Sequence, residues 1–90
     1  MTGQELVEMP IMEAMKAKWN AGLKEYGRAP DEPFKGEKAV FELFAELVDG
    51  LNYCDQAEQE GFDMKSIREH VLAAVVLTRM AIQEESEVEQ

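Results

Sequence analysis

Apolar side chains recur along this chain in steps of three and four. Met12, Met15, Trp19, Leu23 and Tyr26 trace one face of a helix. Pro10 stands where a first helical turn tolerates proline, because the missing N–H would be unpaired there anyway. Gly27 follows as a C-terminal stop. Ahead of Pro10, Thr2 to Met9 reads either as a short helix or as a frayed arm. A second run, Val40, Leu43, Phe44, Leu47, Leu51 and Cys54, has Phe41 and Val48 on its flank. It predicts a helix over Glu37 to Glu60, about 36 Å long. Gly50 interrupts that helix and marks either a close helix–helix approach or a weak spot. Gly61 ends it.

A third helix is predicted to begin near Asp63 or Ser66. Ser66-Ile67-Arg68-Glu69 has the spacing of a capping box, in which serine accepts from an orphan N–H and glutamate reaches back. Val71 to Leu77 is apolar nearly all round, which suits a central helix or one at a subunit contact. Between the first two helices, Gly27 to Gly36 holds two prolines and two glycines in ten residues and reads as a loop. Phe34 is its one large apolar group and is expected to plug onto the core.

No period-two alternation survives this pattern, and no internal repeat is evident. The short connection at Gly61 favours antiparallel neighbours. The predicted fold is therefore all-α, an antiparallel three-helix chain with a long helical hairpin and an N-terminal helix. Its bundle is expected to be completed by dimerisation. Residues 1–83 form one domain in this reading, and residues 84–90 an acidic disordered tail.

Composition sharpens the picture. Ninety residues suit a single small domain with a thin core, for which a homodimer or higher homo-oligomer is a natural remedy. Nineteen acids against nine bases give a net charge of −10. That argues against direct nucleic-acid binding and against an anionic membrane surface, and favours cationic partners or bound metal ions. Cys54 is the single cysteine, so an intrachain disulfide and a Cys-based zinc site within one chain are excluded. Its helical spacing places it in the core. The acidic start lacks a signal-peptide pattern, and Val71 to Leu77 falls far short of the roughly 20 apolar residues of a membrane helix. A cytoplasmic protein is expected.

One constellation has the makings of a metal site. Glu42, Glu46, Asp49 and Tyr53 are spaced four, three and four, and project within about 60° of each other on a helix. Carboxylates stacked in this way repel, and a divalent cation such as Mg²⁺ reverses the sign. The same row lies almost opposite the Phe44–Leu47–Leu51 stripe, so a plain solvated face explains it equally. A second constellation is basic and aromatic: Lys16, Trp19, Lys24, Tyr26 and Arg28. Six of the nine bases lie between Lys16 and Lys38. Lysine and arginine suit phosphates and an indole stacks on a base, although Trp19 and Tyr26 equally suit a core. His70 lacks a second histidine or a nearby cysteine and reads as a helix-boundary residue. The cluster Met9, Met12 and Met15 suits core or dimer filling.

Glu46-Leu-Val-Asp49 followed by Gly-Leu-Asn52-Tyr53 resembles the ExxD helix of the MazG-like all-α nucleotide pyrophosphohydrolases. Upstream, Lys18-Trp-Asn-Ala-Gly22-Leu-Lys24-Glu-Tyr26-Gly27 resembles a segment of small bacteriophage proteins that carry a similar helix. The resemblance spans Lys16 to Ala57. It implies Mg²⁺ held by Glu46 and Asp49, with Glu42 added from the same helix, and cleavage of nucleoside triphosphates between the α and β phosphates by water. It implies a nucleotide against Asn52 and Tyr53, with Lys16, Trp19, Lys24 and Tyr26 as further contacts. The family places a second acidic cluster on the preceding helix. Here that helix carries Lys16, Lys18 and Lys24, with Glu13 and Glu25 as its acids, and Glu5-Leu-Val-Glu8 precedes Pro10. The sequence therefore supports nucleotide binding or Mg²⁺-dependent pyrophosphohydrolysis. The alternative is a non-enzymatic acidic phage-type protein that binds a nucleotide or inhibits a host protein, in one form by imitating nucleic acid.

Overall fold

A computed structural model describes residues 2–26 and 38–89. The described residues are all-helical: α1 (Gly3–Val7), α2 (Ile11–Tyr26), α3 (Ala39–Gln59) and α4 (Lys65–Glu89). The loop expected over Gly27 to Gly36, with Arg28 and Phe34, lies outside the described residues. The chain divides into two units, Met1–Pro33 and Phe34–Gln90.

In the first unit the ambiguous N-terminal stretch is a short helix. Thr2 caps it: its hydroxyl oxygen accepts from the Glu5 backbone N–H at 3.2 Å. Glu5 also lies in the first turn, where negative charge suits the helix dipole. Pro10 then sets the start of α2, its carbonyl accepting from the Ala14 N–H at 3.0 Å. Along α2, Met12, Met15 and Trp19 form the expected stripe, and all three are exposed.

The second unit is an antiparallel helical hairpin of α3 and α4. Its seam is made by Val40, Phe44, Leu47, Leu51 and Cys54 on α3 and by Val71, Val75, Thr78 and Ile82 on α4. Cys54 is 3% exposed and Val75 6%, and these two are the buried apolar residues among those described. Gly50 belongs to the seam. A Cβ there would lie 3.5 Å from Cγ1 of Val71, so the helices approach closely at this turn.

The turn of the hairpin follows from one glycine. Gly61 has φ +101°, a conformation that costs a side-chain-bearing residue free energy. With Gly61 in place, its N–H donates to the Glu58 carbonyl at 3.0 Å and the Phe62 N–H donates to the Ala57 carbonyl at 3.1 Å. That pair of bonds is a Schellman motif, and it satisfies the last carbonyls of α3.

α4 begins at Lys65, between the two starts the sequence offers: Asp63 Oδ1 accepts from the Lys65 N–H at 3.3 Å, and the helix is already under way when it reaches Ser66. A carboxylate is the stronger acceptor for an orphan N–H, and Asp63 comes first after the Gly61 turn. At its other end α4 continues helical to Glu89, through the acidic stretch from Glu84 expected to lie outside it. Glutamate and glutamine are good helix formers, and no glycine or proline breaks the run. Among the described residues, two surface ion pairs tie the hairpin across, Lys38 to Glu85 at 3.6 Å and Arg68 to Asp55 at 3.0 Å. The hydrogen bond that Arg68 donates to Asp55, and then the charge of Asp55, hold the Arg68 pKa above its ordinary value. No helix among the described residues is long and apolar enough to cross a membrane.

Candidate functional site

The carboxylate row forms on α3 in the register its spacing implies. Glu42 lies in the first turn, where the helix dipole favours an anion. Glu46, Asp49 and Tyr53 follow at one-turn intervals, and all four side chains are exposed. The row points away from the seam with α4, as its phase requires, because Leu47 and Cys54 occupy the other side of the same turns. Asn52 adds one tie: its Nδ2 donates to Asp49 Oδ1 at 3.5 Å.

The donors in the row are all oxygens, which suits a hard divalent cation of the Mg²⁺ type. The three carboxylates share a face without converging. Among the described residues, no three His, Cys, Asp or Glu side chains gather into a group able to hold a metal ion. A neighbouring pair such as Glu46 and Asp49 fits the looser arrangement usual for Mg²⁺, one or two carboxylates completed by water and a ligand's phosphate.

The remaining candidates are distributed between the two units. Asn52 and Tyr53 accompany the row on α3. Lys16 and Trp19 lie exposed on α2 in the other unit. Lys24 and Tyr26 belong to the last turn of α2, and their side chains lie outside the described ones. Glu5 and Glu8, which have ExxE spacing, lie in the first turn of α1 and at its C-cap, and are both exposed. Cys54 is buried in the seam, so it behaves as a small apolar residue. His70 is exposed, with Nδ1 2.7 Å from the carbonyl oxygen of Ser66, an acceptor for the imidazole N–H.

Sequence reasoning did not foresee two further features. In the first unit α1 and α2 enclose an open apolar groove of about 750 Å³, lined mainly by Leu6, Val7, Met9, Ile11, Met15 and Trp19. Its signal was the methionine cluster, but α1 supplies the other wall. In the second unit Phe41 and Val48 on α3, and Leu72, Val76 and Met80 on α4, are all more than a third exposed. The all-round apolar character of Val71 to Leu77 pointed to this, without showing which side α3 would leave open. Comparison with known proteins finds no family model, curated protein or solved structure that matches the chain.

Proposed function

We propose that this chain is a cytoplasmic, homodimeric helical protein that binds a magnesium–nucleoside triphosphate complex on the outward face of α3. The reading rests on one observation: Glu42, Glu46, Asp49 and Tyr53 stand exposed in a single register on an uninterrupted helix. Glu46 and Asp49 supply the carboxylates for the cation, with Glu42 one turn before them. The bound ion cancels their mutual repulsion and offers its remaining positions to phosphate oxygens. Tyr53 and Asn52 border the row and supply a ring face and an amide for the nucleoside. The similarity of Glu46 to Tyr53 to the MazG-like ExxD helix supports the same ligand class.

Binding is better supported than turnover. Pyrophosphohydrolysis needs a water activated and phosphates clamped by metal held on more than one side. A single helix face supplies one side. The expected result is saturable binding of a nucleoside triphosphate by calorimetry with Mg²⁺ present, lost without Mg²⁺ and lost in Glu46→Ala. Release of pyrophosphate by the wild-type protein, abolished by Glu46→Ala, would extend the reading to catalysis. Absence of binding for all common nucleoside and deoxynucleoside triphosphates would overturn it. The second reading, an acidic surface for a basic host protein, is favoured by the same row acting as solvated charge within a net charge of −10. It is distinguished by salt-sensitive binding to a basic protein that no nucleotide displaces.

A further inference from the structure

On one side of the hairpin both helices carry exposed apolar residues, beside the Arg68–Asp55 pair near the turn. The Arg79 guanidinium lies 5.5 Å from the centre of the Phe44 ring, so these two residues mark the same side of α3 and α4. Phe41 and Val48 lie one turn from Phe44 in either direction. Val76 and Leu72 lie one and two turns before Arg79, and Met80 adjoins it. Each of these five apolar residues is between 39% and 49% exposed. The carboxylate row is elsewhere on α3, away from this side. A unit of two helices with Cys54 and Val75 as its buried pair, among the described residues, has the core of half a helical bundle.

We infer that this side is the interface of a homodimer, in which two hairpins pack face to face with their α4 helices antiparallel and crossing at the level of residue 74. The inference rests on the homodimer of the proposed function and names its surface and register. The charges select the arrangement. In an antiparallel pair centred there, Arg79 meets the partner's Glu69 and Leu72 meets the partner's Val76, each contact occurring twice as a two-fold axis demands. A parallel pair instead sets Glu69 against the partner's Glu69 and brings the acidic ends beyond Glu84 side by side. In the antiparallel pair those ends are about 30 to 45 Å apart. The side is two helices wide and about 30 Å long, a footprint of roughly 600 Å². That approaches the roughly 800 Å² of accessible surface that each partner of a standard interface buries.

The test measures the mass of the full chain by sedimentation equilibrium, with helicity checked by circular dichroism. The wild-type protein is expected to be a dimer at about 100 µM. Val76→Glu is expected to weaken it about 100-fold by forcing a charge into the apolar centre. Because that variant disturbs a packed helix, a gentler pair accompanies it. Arg79→Glu is expected to weaken the dimer about tenfold, and Arg79→Glu with Glu69→Arg to recover most of the loss, since the swap restores both cross-subunit pairs. A monomeric wild-type protein overturns the homodimer and the surface together. A dimer that keeps its affinity in Val76→Glu overturns the surface alone. Failure of the double swap to restore a dimer weakened by Arg79→Glu overturns the antiparallel register.

Discussion

At Gly61 a hydrogen atom in place of a side chain decides where a helix stops. Its φ of +101° is open to glycine and strained for alanine, and two carbonyls of α3 depend on the turn it makes. Gly61→Ala is expected to cost about 1 kcal/mol, read as a lower urea midpoint with an unchanged slope. Gly50 has the opposite prospect. A methyl group there meets Val71 at an ordinary 3.5 Å, so alanine adds helix propensity without a clash. Gly50→Ala is expected to raise stability by up to about 1 kcal/mol. A loss instead would show that the seam cannot take the extra methyl. Gly61 and Cys54 were both legible in the sequence, because a C-terminal glycine and a helical spacing are local signals. Gly50 was not, since its two readings differ only in what the neighbouring helix brings to it.

Three long helices in the order expected emerge at the scale of elements, because periodicity over 16, 21 and 25 residues outweighs any single misread position. Their ends were less legible. Ser66 and Asp63 are both good caps in a sequence, and the choice between them depends on where the Gly61 turn delivers the chain. Asp63→Ala is expected to lower stability by about 1 kcal/mol by orphaning the Lys65 N–H, whereas Ser66→Ala, inside the helix, is expected to cost little. Equal losses from the two would return the cap to Ser66. The register of Glu42, Glu46 and Asp49 was legible from spacing alone, since α3 runs unbroken through them. Whether carboxylates converge was not, because convergence depends on groups that another element brings, and spacing along one helix contains none of them.

Charge acts at the scale of the whole molecule. Each chain carries −10, so a homodimer brings together two bodies that repel through their fields. The antiparallel interface answers this locally with two Arg79–Glu69 pairs between subunits, while the acidic ends of α4 are held far apart. The two effects respond to salt in opposite directions. Salt weakens the rim pairs, which are worth about 1 kcal/mol or less each when exposed. It also screens the general repulsion between two acidic chains, whose many charge pairs lie about a Debye length or more apart and fade fastest. The second effect outweighs the first, because two attractive pairs face a repulsion spread over the whole surface. Dimerisation is therefore expected to tighten, by about tenfold, as ionic strength rises from about 0.01 M to about 0.15 M. A magnesium ion held on each α3 face would act in the same sense at far lower concentration, since it removes two charges per chain. Sedimentation equilibrium in NaCl and in MgCl₂ separates the two: a magnesium effect beyond that of ionic strength, lost in Glu46→Ala, identifies a bound ion. A dimer that loosens with salt would instead mean that cross-subunit ion pairs, and not apolar contact, dominate the interface.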